Sequence, residues 1–311
     1  MKFWFRGAAI LSSVVVASSY ATVAFSKSPP PPPPPYNPQI LYTVTSKGGS
    51  TATITVSNAD GTDVVSLYTS KNITGLNDVK FSTTANQIVF SEQNDIRVLT
   101  YAVSPQNGVT TTSVSTLASE PYPVLHVDVS PDGSKLLLVE HTADPNQWAV
   151  YVMSMTGGNR TPIQLMPAIY YDAVWAHSSS RIAVIQGGPV QAGYGVQTIQ
   201  VIDLTTNGIT TVFTSTNQLY QVSRLESAHT SDTLLFYATP TGSNTGVYTV
   251  DIGTQIVTPI VAGWSPSFSS DDSMILFRGN ATGDLFTLNI STNVQTQITS
   301  KVVLGRPDFL P

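Results

Sequence analysis

An all-β fold, a six-bladed β-propeller of four-stranded antiparallel blades closed by its two chain ends, follows from three observations. One register recurs five times, with an anchor residue seven positions before an aliphatic one: Phe81 and Ile88, Val129 and Leu136, Trp175 and Ile182, Ser227 and Leu234, Phe268 and Ile275. Successive anchors stand 48, 46, 52 and 41 residues apart, a period that marks a propeller or solenoid. After the first 26 residues no long stretch has helical periodicity, whereas short apolar runs bounded by turn residues recur to the end.

Each register unit carries the same elements in order. The anchor closes a first strand, and "QIVF", "KLLLV", "RIAVI", "TLLF" and "MILF" supply a second. "IRVLTYAV", "WAVYVMSM", "TIQVIDL", "GVYTVDI" and "DLFTLNI" supply a third, and "VTTTSVS", "TPIQLM", "ITTVFT", "QIVTPIV" and "VQTQIT" a fourth. Four short strands per repeat make a propeller blade. The terminal "GRPDFLP" places Phe309 at the anchor position, 41 residues after Phe268, with no strands behind it. "QILYTV" and "ATITVSNADGTDVVSLYT" near the other end supply the three missing strands. A sixth, composite blade formed this way leaves no exposed sheet edge.

Residues 39–311 form this domain, preceded by two segments of different character. Residues 1–26 carry Lys2 and Arg6, then an apolar run, then small residues, the layout of a secretory signal peptide cut after Ala24 or Ser26. The alternative is an uncleaved N-terminal membrane anchor. Residues 27–38 form a linker with seven consecutive prolines, Pro29–Pro35, a stiff polyproline II spacer of about 20 Å. The protein is expected to be exported, periplasmic or secreted.

Composition narrows the function. Of 311 residues 41% are hydrophobic and only 11% charged, against about 25% charged in ordinary soluble proteins. The net charge of -5 argues against a nucleic-acid partner, which would call for a basic stripe. The absence of cysteine excludes disulfides, thiolate chemistry and lipidation at cysteine. No G-x-S-x-G elbow or H-E-x-x-H zinc motif is present, so no catalytic residue, metal site or cofactor is assigned.

The repeat residues read as structure. In "SPDGSK" proline presets its own φ, Asp132 bonds nearby amides and Gly133 accepts a positive φ; Asn86, Asp271 and Asp272 occupy related turns. Phe81, Trp175, Phe268 and Phe309 are expected between blades, and Ser227 in an anchor position implies weak packing of its blade. "SNADGTD" at Ser57 reads as a hairpin turn. Asn72, Asn159, Asn280 and Asn289 open glycosylation-type triplets, which matter only in a eukaryotic secretory pathway.

Two further sets are candidates for function. Three positions before the anchors stand Asp78, His126, Asp172, Arg224, Ser265 and Arg306. Around a six-fold ring Asp78 faces Arg224 and Asp172 faces Arg306; one position before the anchors Lys80 faces Glu226. These polar positions suit a water-filled central channel, where the charges either neutralise one another or bind a polar ligand. The loops leading into the inner strands bring Tyr122, Tyr170, Tyr171, Tyr220 and Trp264 to one face, joined by Tyr194 from a long second-to-third connection and by Trp148 at the margin. His177 and His229 belong to the opposite face from His126.

"VSPDGSKLLLV", "FSSDDSMILF" and "RPDFLP" resemble the repeats of TolB-type six-bladed propellers over roughly residues 39–311. Related repeats occur in prolyl-oligopeptidase-like peptidases and oligogalacturonate lyases. TolB also has an N-terminal α/β domain, where this chain shows only a signal and a proline stalk. The resemblance implies a monomeric, non-catalytic binding or scaffold propeller of the cell envelope that engages a protein partner through the aromatic loop face. The alternative is a carbohydrate-binding or polysaccharide-active propeller that takes a glycan at the channel mouth.

Overall fold

Alternating apolar and polar residues fold here into strands whose inner ends meet around one axis. The computed structural model describes residues 39–46, 49–71, 76–82, 86–104, 108–144, 147–158, 160–163, 169–187, 196–216, 219–240, 245–281, 283–300 and 303–310. Residues 1–38, read from the sequence as signal and linker, and Asn72, Asn159 and Tyr194 lie outside the described residues, and of Tyr220 only the backbone is described. Among these residues there are 24 strands and no helix.

Four sheets have four antiparallel strands each, beginning at the axis with Val124–Val129, Ile169–Trp175, Leu219–Ser227 and Trp264–Phe268. The remaining strands form one eight-stranded sheet. Its order is Val65–Ser70, Ala52–Ser57, Ile40–Thr45, Val303–Phe309, Leu76–Phe81, Gln87–Glu92, Asp95–Ser104 and Gly108–Ser119. The last strand of the chain pairs antiparallel with the first, Phe309 opposite Ile40 and Asp308 opposite Leu41. The sequence predicts six separate sheets; the observed arrangement is four plus one of eight. The difference is a single parallel pair, Arg306 with Asp78, where the two halves of the large sheet converge on the axis.

Apolar faces of neighbouring sheets pack together, as an anchor residue requires. Trp175 packs with Leu137, Val139 and Val150 of the preceding sheet, Phe268 with Leu235 and Val247, and Phe309 with Leu276 and Leu285. Phe81 joins Leu41, Ile54 and Val56 across the two halves of the large sheet. The expectation of weak packing at Ser227 is corrected. Ser227 is 7% exposed, its Oγ accepts the His177 N–H at 2.9 Å, and Leu225, Leu234 and Phe236 beside it share a core with Val174, Ile185 and Ile199. A hydroxyl bonded to a neighbouring backbone fills the place of an aromatic ring.

Turns behave as their residues dictate. Gly133, Asn86 and Asp272 adopt φ of 68°, 44° and 57°. Asp132 and Asp271 accept the Ser134 and Ser273 amides at 3.0 Å, and Asp60 accepts the Thr62 amide at 2.9 Å in the hairpin that follows Ser57. Asp272 reaches the adjacent sheet, accepting the amides of His229 and Thr230 at 2.8 Å.

The feature that builds the site is a repeated irregularity. Every inner strand shifts register against its neighbour: between Leu76 and Val79, Val124 and His126, Tyr170 and Asp172, Ser223 and Glu226, Trp264 and Ser267, and across Leu304–Asp308. Each shift includes or borders the residue three before the anchor. A bulge of this kind bends the strand and re-aims a side chain. Arg224, Ser265 and Gly305 take positive φ of 58°, 50° and 61° within these bends.

Candidate ligand-binding mouth

Two layers of charged side chains fill the axis. In the layer nearer the strand starts, Arg224 Nη1 donates to Asp78 Oδ1 at 3.1 Å and His126 Nδ1 lies 2.8 Å from Asp78 Oδ2. Arg306 Nη2 donates to Asp172 Oδ2 at 2.5 Å, and its Nη1 to the Leu225 carbonyl at 2.9 Å. Burial alone would raise the Asp78 carboxyl, but Arg306, His126 and Arg224 outweigh it and hold it well below the usual carboxylate range. Asp172 is buried too and is held low by Arg306 first, then His126 and Arg224. Arg306 would lose its proton more readily through burial, yet Asp172 and Asp78 raise it above the ordinary arginine value.

In the second layer one cation serves three carboxylates. Lys80 Nζ stands 2.5 Å from Glu226, 3.3 Å from Asp308 and 3.9 Å from Asp128. Burial opposes the Lys80 charge, but Asp308, Glu226 and Asp128 together raise its pKa. Burial pushes Asp128 up to about 7, with Lys80 offsetting only part of it and Glu226 adding repulsion. Asp128 Oδ2 accepts the Trp175 N–H at 2.8 Å, and Asp308 Oδ2 accepts the Phe81 N–H at 2.9 Å. A carboxylate one residue before an anchor thus holds the backbone of the next anchor. Asp172 Oδ2 likewise accepts the Leu225 N–H at 2.7 Å.

The pairs read across the ring are therefore in contact, and of the candidate channel residues His126 and Arg224 border the open mouth while Asp78, Asp172 and Arg306 are buried. Arg306–Asp172, Arg224–Asp78 and Lys80–Glu226 reach across the axis. Among the described residues no cluster of three or more His, Asp or Glu side chains is arranged to hold a metal ion. Lys80 occupies the space between the acids of the second layer.

Beside these ion pairs the mouth opens into two adjoining cavities. One of about 450 Å³ is lined by Tyr171, Gln221, Tyr237, Thr245, Trp264 and Asn280, among others. The other, of about 560 Å³, is lined by His126, Trp148, Tyr171, Arg224, Tyr237 and Gly305, among others. Tyr171, Ser223 and Tyr237 border both. At the opposite end of the axis a cleft of about 80 Å³ holds Trp175, His177 and His229 beside the Lys80 layer.

The aromatic walls are fixed by local chemistry. Trp148 packs edge-on against Tyr171 and His141, with centroids 5.5 and 5.3 Å apart. Tyr171 can lie where it does because residue 187 is glycine; a Cβ there would sit 2.4 Å from its ring. Trp264 Nε1 donates to the Gly279 carbonyl at 3.3 Å, and the Arg278 guanidinium lies 3.6 Å from the centre of its ring. Gln197 spans two sheets beneath the rim, accepting the Val222 N–H at 2.7 Å and donating to the Val222 carbonyl at 3.2 Å.

The rim expected from the sequence is only partly assembled. Tyr171, Trp264 and Trp148 border the cavities. Tyr170 is corrected: it is 4% exposed, packed with Leu137, Val139 and Trp175, and its hydroxyl is pushed up to about 12 by burial. Tyr171 is the extra residue of the bulge between Tyr170 and Asp172, so it borders the mouth while Tyr170 packs into the core. Tyr122 is half-buried and borders neither cavity. Tyr237, Gln221 and Arg278 were not singled out by sequence. Nor were Asp128 and Asp308, although both stand directly before an anchor position, as Lys80 and Glu226 do.

No family model and no curated protein matches the chain. Among solved structures, TolB from Acinetobacter baumannii superposes with a TM-score of 0.69 at 15% identity, over 89% of this chain and 67% of that one. A chain of a nidogen/laminin complex gives 0.65 at 8% identity, over 88% and 99%. An oligogalacturonate lyase in complex with manganese gives 0.55 at 12% identity, over 82% and 77%. Identities this low speak for fold alone, and the fold is that of a TolB-like β-propeller.

Proposed function

We propose that this chain is an exported, non-catalytic, six-bladed propeller that binds a protein partner through its mouth. The two halves of the eight-stranded sheet count as two blades, since each has four strands, its own bulge and its own anchor. The observation that carries the reading is the pair of cavities framed by Trp148, Tyr171, Tyr237 and Trp264. Rigid aromatics with polar tips are the side chains most enriched at protein interfaces.

The axial acids favour binding over chemistry. Asp78 and Asp172 are fully buried and held ionised by guanidiniums, which suits them to fixing geometry and not to exchanging protons. Residues 1–26 would direct export and residues 27–38 would act as a stalk. Gln39 follows that stalk and bonds Leu310 and Ser57 at the anchor end of the strands, opposite the mouth. No helix among the described residues is long and apolar enough to cross a membrane.

A carbohydrate ligand is the competing reading, since Tyr171 and Trp264 also suit stacking on sugars. Tyr171→Ala and Trp264→Ala separate the two. Capture of a protein partner from native envelopes should fall by about tenfold or more for each. Unchanged protein capture with lost retention on glycans would overturn the proposal.

A further inference from the structure

Arg278 is a buried cation with no carboxylate in ion-pair contact among the described residues. It is 5% exposed, lies on the Trp264 ring, and donates from Nη1 to the Gly305 carbonyl at 3.3 Å. Its Nε is buried with no hydrogen-bond partner, and no Asp or Glu among the described residues forms an ion pair with it. Asp284, six residues on, is turned to Gln297, whose Nε2 donates to Oδ2 at 2.9 Å. Burial, then repulsion from Arg224, lowers the Arg278 pKa to about 10, so it remains charged at neutral pH. An indole face and one carbonyl do not neutralise a guanidinium, and a buried charge without a counter-ion is costly.

The charges along the axis are graded. In the layer at the mouth the guanidiniums of Arg224 and Arg306 match the carboxylates of Asp78 and Asp172, and Arg278 stands apart from them behind Trp264. In the layer beneath, Lys80 faces Asp128, Glu226 and Asp308, an excess of negative charge. Among the described residues that line the two aromatic cavities there is no Asp or Glu, and Arg224 is their one guanidinium. Arg224 borders the larger cavity with its side chain 25% exposed, so it can touch what enters.

We infer that the mouth is a receptor for an acidic peptide segment, with Arg224 taking a carboxylate at the cavity floor and Arg278 supplying charge from behind Trp264. The inference deepens the proposed protein-binding function and rests on it. The adjoining cavities, of about 450 and 560 Å³, are bordered from His126 and Trp148 to Trp264 and Asn280. Gln221 and Asn280 offer amides to its backbone. Guanidiniums pair strongly with carboxylates, and a water-excluding aromatic wall strengthens the pairing.

The test uses the purified chain and three probes: a short capped glutamate peptide, its glutamine counterpart and a galacturonate oligomer. Binding is read by calorimetry and tryptophan fluorescence. The glutamate peptide should bind at least about tenfold more tightly than the glutamine peptide, with affinity falling as salt rises. Arg278→Met, which keeps volume and removes the unpaired charge, should weaken glutamate binding by about tenfold without loss of folding. Arg224→Lys should weaken it as well, because the planar fork is lost. Equal binding of the two peptides, binding of neither, or unchanged affinity in Arg278→Met would overturn the inference. If Tyr171→Ala still abolishes partner capture in that case, the protein-binding function stands without it. Binding of galacturonate alone would overturn both.

Discussion

Asp308 Oδ2 accepts the backbone N–H of Phe81 at 2.9 Å, tying the last strand of the chain to Leu76–Phe81, the strand that opens the other half of the eight-stranded sheet. The same residue contacts Lys80 at 3.3 Å and accepts the Ser267 hydroxyl at 3.2 Å. One carboxylate therefore joins both halves of the large sheet and the sheet preceding them. Asp308→Ala leaves a buried amide and part of a buried cation unmatched, and should cost about 3 kcal/mol or more. Thermal unfolding followed by circular dichroism should show a melting temperature lower by about 5–10 °C.

Lys80 is the only cation among the described residues in contact with Asp128, Glu226 and Asp308. Lys80→Met should destabilise by about 3–5 kcal/mol at neutral pH, since it leaves buried carboxylates facing one another. Part of the loss should be recovered near pH 5, below the Asp128 pKa of about 7, where that carboxyl takes up its proton. Denaturant unfolding of the variant at both pH values measures it; equal destabilisation at both would show that the acids do not repel.

Asp128 gives the wild-type protein a pH signature of its own. Its folded pKa of about 7 lies above the ordinary 3.8, so between those values the folded state holds more protons than the unfolded one. Stability from this group therefore falls as pH rises through that window. Asp78 and Asp172 behave oppositely: their contribution is present above the ordinary carboxylate pKa and is lost as pH falls through their depressed values. Asp128→Asn keeps an acceptor for the Trp175 amide and should flatten the fall between about pH 5 and 7. Unfolding free energies at several pH values, for both proteins, test the sign.

Gly187→Ala probes the mouth without touching the ion network. A methyl group there would meet the Tyr171 ring at 2.4 Å and turn it away from Trp148. Partner binding should weaken by about tenfold with little change in melting temperature. A parallel loss of stability and binding would mean that Tyr171 holds the sheets together and does not frame a site.

Much of the fold was legible because propeller geometry is written at short range. The seven-residue step from Phe81 to Ile88, or Phe268 to Ile275, is one tight turn between two strands whose paired residues are fixed by the ladder. The pairs of Asp78 with Arg224 and Asp172 with Arg306 followed from counting around a ring. What remained hidden depended on local backbone irregularity. A bulge at Tyr170 and Asp172 decides that Tyr170 packs inward while Tyr171 borders the mouth. Ser227 gave no sign that its hydroxyl would hold the His177 amide. Arg278 is ordinary in sequence, because only three-dimensional neighbours reveal that no acid among the described residues pairs with it.

The most direct test is site-specific photo-cross-linking in native envelopes. A photoreactive residue is placed at Tyr171 or Trp264 in the mouth and, for comparison, at His229 beside the opposite cleft. The expected result is one discrete protein adduct from the two mouth positions, absent at His229 and lost when Arg224→Gln is added. An adduct from His229 alone, or mouth adducts indifferent to Arg224, would contradict binding at the aromatic mouth.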